Sequence, residues 1–158
     1  MADRQITIPY TQASYEELSA ADRYLVDQAR SATQRSYAPY SRFHVGAAIR
    51  LDDGTIVTGA NQENAAFPSG TCAERTACFY AHASHPDTPF NTIAIAARQE
   101  GGAEEIASPI SPCGACRQAL LEYEMLAGHP VRLILVGRDY VYIIPSVKSL
   151  LPFAFTEF

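Results

Sequence analysis

Residues 45–60, VGAAIRLDDGTIVTGA, decide the fold class. Two strand-like runs, 45–51 and 55–60, flank Asp52-Asp53-Gly54, an acidic pair and a glycine suited to a hairpin turn. Upstream, residues 14–35 predict a helix: Ser14 and Glu17 have capping-box spacing, and Leu18, Ala21, Leu25, Ala29 and Ala32 recur on one face. Residues 36–43 break that period with Pro39 and three aromatics. Downstream, helices over 72–83 and 113–126 alternate with strands over 92–98, 132–137 and 140–144, and a short helix over 146–151 ends at Pro152. A hairpin followed by alternating helices and strands predicts an α/β fold, a five-stranded mixed sheet with helices on both faces. Loops rich in proline, glycine and serine are expected to be mobile at 85–90 and 101–110.

The 158 residues are read as one domain spanning 1–158, long enough to bury a core without disulfide staples. The balance of 12 basic against 17 acidic residues gives a net charge of −5, which favours a small, neutral or weakly charged substrate over a polynucleotide. The start MADRQITIPY has no basic segment followed by an apolar one, and no apolar run approaches membrane-spanning length. A cytoplasmic protein without a membrane partner is therefore expected, with its cysteines kept as free thiols.

Those cysteines carry the chemistry. Cys72, Cys113 and Cys116 lie in Thr71-Cys72-Ala73-Glu74-Arg75 and Pro112-Cys113-Gly114-Ala115-Cys116-Arg117-Gln118, and read as three thiolate ligands for one zinc ion. Structural zinc is usually closed by four protein ligands, whereas catalytic zinc keeps three and an open position. The fourth cysteine, Cys78, is six residues past Cys72, about 9 Å along a helix and out of phase with it. With Zn–S distances of about 2.3 Å it is out of reach, so Cys78 reads as a core residue. Both cysteine groups fall where helices should begin, and the positive end of each helix dipole lowers thiolate pKa. Three thiolates leave zinc with a net charge of about −1, which opposes acidification of a water, so charge must be drawn off the sulfurs. Arg75 suits that task by donating to the cysteine sulfurs, its alternative being a surface ion pair. Arg117 at a helix start is electrostatically unfavourable and calls for a partner that the sequence does not name. Glu74, two residues from a ligand, is placed to take a proton from a water and pass it to a substrate nitrogen.

C-A-E-R-T-A (72–77) with S-P-C-G-A-C-R-Q (111–118) resembles the cytidine deaminase family, specifically its small homotetrameric type. The likeness extends through Y-x-P-Y-S-R-F-x-V-G-A (37–47), N-x-E-N-A (61–65) and L-L-P-x-x-F (150–155). It implies a three-layer α/β/α deaminase fold, one Zn2+ per subunit on Cys72, Cys113 and Cys116, and Glu74 as proton shuttle. It further implies ribose binding by Asn61 and Glu63, a pyrimidine pocket lined by Phe43, a substrate contact from Ala73, and Phe155 reaching the base from a neighbouring subunit. The implied reaction is hydrolytic deamination of cytidine and 2′-deoxycytidine. Departures are Phe67 where the family often has tyrosine, His44 in place of a frequent proline, and no Asp-Gly turn in 138–144.

Read from their own chemistry, Asn61 and Glu63 stand two apart after a strand, and an amide beside a carboxylate suits a hydroxyl that both donates and accepts. A polar turn is the other reading. Phe43 and Phe155 suit an apolar wall for a flat base, and burial against a second subunit would explain an aromatic run at the chain end. His82 and His85 are expected to favour a helix C-terminus rather than a metal. Competing functions are deamination of another cytosine nucleoside such as a blasticidin-type antibiotic, a polynucleotide cytosine deaminase, and a zinc-stabilised binding module. The acidic balance weighs against the second, and the missing fourth ligand against the third.

Overall fold

In a computed structural model describing residues 1–101 and 105–156, six strands, β1 (Thr11–Ala13), β2 (Phe43–Leu51), β3 (Ile56–Ala60), β4 (Phe90–Gln99), β5 (Arg132–Val136) and β6 (Val141–Ile144), form one mixed sheet in the order β1-β6-β5-β4-β2-β3. The hairpin is β2 (Phe43–Leu51) and β3 (Ile56–Ala60), antiparallel, with Gly54 at a positive φ of 89° in the turn. Strand β4 (Phe90–Gln99) is antiparallel to β2 on its other side, so β3 and β4 run the same way and are joined across β2 by helix α2 (Ala73–Ser84). Strand β5 (Arg132–Val136) is parallel to β4, and the crossover this demands is helix α3 (Gly114–Ala127). Strand β6 (Val141–Ile144) returns antiparallel to β5.

The expected five strands are corrected to six. Strand β1 (Thr11–Ala13) pairs antiparallel with β6, Gln12 opposite Tyr142. It is three residues long and largely exposed, so no buried face stamps an alternating pattern on it; its identity comes from hydrogen bonds to a strand 130 residues away, Gln12 to Tyr142. The first helix is also shorter than 14–35. Ser14 N–H does donate to Glu17 Oε2 at 2.7 Å, but the chain turns there, and helix α1 (Ala20–Ala32) starts from Ser19, whose Oγ accepts from Asp22 N–H at 3.1 Å. The intervening turn sends Leu18 into the core. A 3-10 helix (Thr33–Arg35) completes the expected span, and another (Val147–Leu150) stands for the short terminal helix. Residues 102–104 of the expected 101–110 loop lie outside the described residues.

Alternation along the strands splits the core into two. Ala47, Ile49 and Leu51 of β2, Ile93 and Ile95 of β4, and Leu133 and Leu135 of β5 face α2 and α3. Ala48, Ala94, Ala96, Ile134 and Val136 point the other way, against Leu25, Val26 and Ala29 of α1. Helices therefore cover both faces in three layers. Close approach needs glycine at two strand positions: a Cβ at Gly46 would strike the α1 backbone at Ala29, and one at Gly59 would strike the backbone of Ala73 and Ala77 in α2.

Buried charges pin the layers. Asp22 accepts from Arg50 Nη2 at 3.0 Å and Arg132 Nη2 at 3.1 Å, tying α1 to β2 and β5. Glu124 of α3 accepts from Val131 and Val147 N–H at 2.8 Å each, from Lys148 N–H at 3.1 Å and from Ser146 Oγ at 2.7 Å. A buried carboxylate with four donors is a satisfied one. No described helix is long and apolar enough to cross a membrane.

Candidate active site and metal centre

Helices α2 and α3 begin side by side on one face of the sheet, and their caps are cysteines. Cys72 precedes α2 and Cys113 precedes α3, each in extended backbone and neither making a side-chain capping bond. Cys116, in the first turn of α3, is fully buried. The three sulfurs lie within 4.8 Å of one another, and Cys72 Sγ is 3.9 Å from Cys113 Sγ. A tetrahedral zinc with Zn–S bonds of about 2.3 Å separates its sulfurs by about 3.8 Å, so this trio fits that ion. Cys78 is buried in the core, its thiol pushed up to about 12 by burial and its Sγ 3.6 Å from Arg75 O; it takes no part in the cluster.

The thiols share charge unequally. The Cys116 hydrogen bond draws the Cys72 thiol down to about 5 against the opposing effect of burial, with further help from Arg75. The same bond and burial push Cys116 up. Arg75 Nη2 donates to Cys72 Sγ at 3.7 Å, the contact that distinguishes it from a surface ion pair. Glu74, only 4% exposed, has its carboxyl raised by burial and by the neighbouring Cys72 charge.

These groups open into a cavity of about 700 Å3. Cys72, Ala73, Glu74, Arg75 and Cys113 line it, together with Phe43, Asn61 and Glu63. Glu63 Oε2 accepts from the N–H groups of Tyr40 (2.8 Å) and Ser41 (3.2 Å), and its carboxyl is held below the usual range chiefly by the Ser41 hydroxyl, with help from those two N–H groups. Asn61 carries more structure than its sequence context conveys. Its Oδ1 accepts from Val45 N–H at 2.8 Å and Ser36 Oγ at 2.5 Å, and its Nδ2 donates to Phe43 O at 2.9 Å. The second amide N–H has no partner at hydrogen-bond distance among the described residues except through the same nitrogen's bond to Phe43 O.

Phe155 does not line this cavity; it is 66% exposed, and its carbonyl accepts from Gln118 Nε2 at 2.9 Å. Lining residues not singled out from the sequence include Tyr40, Ser41, Ile110 and Ser111. Tyr40 and Ser41 sit inside the 37–47 motif, which is the signal that marks them. Tyr40 and Phe67 meet edge to face at 6.1 Å. Ser111 opens the 111–118 motif, whereas Ile110 belongs to an irregular stretch whose place only the fold supplies. Of the histidines, His82 packs on the Tyr123 ring at 5.3 Å, and His129 Nε2 pairs with Asp52 Oδ2 at 2.9 Å.

The family model described as the cytidine and deoxycytidylate deaminase zinc-binding region matches residues 19–127. A cytidine deaminase of Sporosarcina psychrophila is 41% identical over 84% of this chain and 90% of its own. The crystal structure of cytidine deaminase from Burkholderia pseudomallei superposes with a TM-score of 0.69 at 38% identity, covering 84% of this chain and 97% of that one. That of cytidine deaminase from Mycobacterium tuberculosis superposes at 0.68 with 31% identity, covering 88% and 100%.

Proposed function

The chain belongs to the cytidine and deoxycytidylate deaminase zinc-binding family, and from that premise we propose that it hydrolyses cytidine and 2′-deoxycytidine to the corresponding uridine nucleosides and ammonia. The observation that carries this reading is the buried carboxyl of Glu74 beside three clustered sulfurs, two of which, on Cys72 and Cys113, belong to residues lining a cavity of about 700 Å3.

Cys72, Cys113 and Cys116 hold the metal, one Zn2+ per subunit. When bound, zinc supplies the Lewis acidity that readies a water for attack at neutral pH. Glu74 takes the proton from that water and delivers it to N3 of the pyrimidine as oxygen adds to C4, then carries the second proton to the departing amino group. Water is consumed, the C4–N bond breaks and ammonia leaves. A carboxyl raised by burial suits this shuttle, because its pKa moves toward working pH. Arg75 draws charge from Cys72. Phe43 and Ala73 face the base, and Glu63 with the remaining N–H of Asn61 binds the ribose hydroxyls.

The reading extends to a single deaminase domain over 1–158 acting in cytoplasmic pyrimidine salvage as a homotetramer. Exposed Phe79, Tyr80, Met125 and Leu126 on α2 and α3 support association, and Phe155, absent from its own cavity wall, is assigned to a neighbour's site. A zinc determination together with the ultraviolet change from cytidine to uridine tests the proposal. One zinc per chain with zinc-dependent loss of the cytidine band is expected; a zinc-loaded protein that leaves both nucleosides unchanged overturns it.

A further inference from the structure

Arg117 lies in the first turn of α3, where a cation opposes the helix dipole, and it does not line the cavity. Its guanidinium spends its donors off the helix. Nε donates to Pro112 O at 2.8 Å, Nη2 to Ser111 Oγ at 3.0 Å and Nη1 to Leu150 O at 3.0 Å. Two of these three acceptors belong to the residues immediately before Cys113.

The cysteines differ in what holds them. Cys116 is locked by full burial, and Cys72 receives Arg75 Nη2. Cys113 is exposed, its side chain makes no capping bond, and it follows an irregular stretch. Its Sγ must nevertheless stay within bonding range of a metal shared with Cys72, 41 residues away in sequence. We propose that Arg117 is a positioning residue for the metal: it clamps the Ser111–Pro112 segment against the Leu150 carbonyl, so that Cys113 is presented to Cys72 and Cys116. Charged hydrogen bonds are about twice as strong as neutral ones, and the rigid fork of arginine reaches three acceptors lying in different directions. Lysine, a single point of donors on a flexible stem, does not reproduce that fork. Without the clamp, zinc has to order the segment as it binds, and that cost appears as lost affinity.

The inference rests on the zinc reading of the trio, and its test needs no substrate. Zinc release to a chelator and the visible spectrum of the Co2+-substituted protein, whose bands report sulfur number and geometry, are compared among variants shown to be folded by circular dichroism. Arg117→Gln is expected to lower zinc affinity by the roughly 10–100-fold typical of residues that orient ligands, and to shift the Co2+ bands. Arg117→Lys should recover only part of this, and Ser111→Ala, which removes one of the three acceptors, should show a smaller loss. Gln118→Ala cuts the bond to the Phe155 carbonyl but none of those before Cys113, and should keep wild-type affinity. A folded Arg117→Gln with wild-type zinc release and Co2+ spectrum overturns the proposal, as does an equal loss in Gln118→Ala. Should Arg117→Gln not fold, Ser111→Ala decides, and wild-type affinity there overturns it. Wild-type protein that takes up no zinc on these sulfurs overturns the zinc reading itself and this inference with it.

Discussion

Cys72 Sγ and Cys113 Sγ stand 3.9 Å apart although 41 residues separate them, because the helices they cap start next to each other on the same sheet face. One metal ion there reports on the docking of both helices, and the chemistry depends on that docking.

Glu74→Gln should keep stoichiometric zinc and lose at least about 10²–10⁴ in turnover, the range for general acid–base catalysis. Glutamine keeps the size but carries no proton. A zinc-replete variant with near-normal cytidine turnover removes Glu74 from the mechanism.

Gly59→Ala should cost roughly 1–3 kcal/mol by overpacking and weaken zinc retention as well. The added methyl meets Ala73 and Ala77, so α2 must move, and Cys72 moves with it relative to Cys113. Urea unfolding and chelator release together check this; a variant unchanged in both shows that the sheet accommodates the methyl.

Asn61→Ala and Glu63→Ala should separate. Removing the Asn61 amide strands Val45 N–H and Phe43 O, so about 1–3 kcal/mol of stability should go along with activity. Glu63→Ala frees two N–H groups in a partly exposed loop, and its main effect should be a raised KM for cytidine. Equal melting temperatures for the two variants contradict this division.

Asp22 gives the pH dependence. Burial raises its carboxyl, but hydrogen bonds from Arg132 and Arg50 outweigh it and hold it below the usual range. A depressed folded pKa contributes stability that is fully present above the ordinary carboxylate value near pH 4 and is lost as pH falls through the lower folded value. The stability gap between wild type and Asp22→Asn should therefore be widest above about pH 4 and close in stronger acid. A gap constant across that range excludes the linkage.

A chain ending at Leu151 should be inactive while keeping all three cysteines and Glu74. Mixed with full-length Glu74→Gln under conditions where subunits exchange, it should regain activity, because an intact Glu74 site then receives Phe155 from the other chain. If mixed oligomers form and stay inactive, the tail serves its own chain or packing alone.

Much of this protein was legible without coordinates. The cluster of Cys72, Cys113 and Cys116 is readable in the chain because metal ligation admits few residue types and the spacing of these is set by helix starts, a local property. The hairpin and the alternating helices follow from hydrophobic period, which is local too. Tertiary structure decided the rest. Strand β1 exists only through its hydrogen bonds to β6, and the start of α1 was settled between two adjacent caps by where Leu18 had to go. Asn61 reads as a ligand for sugar in a polar string, yet most of its amide is spent on Val45, Ser36 and Phe43, partners that the folded sheet edge brings to it. Arg117 looks misplaced at a helix start until Ser111, Pro112 and Leu150 surround it. In each case the sequence determined which chemistry a side chain carries, and only long-range packing determined which partners consume it, since hydrogen bonds across the fold leave no period in the chain.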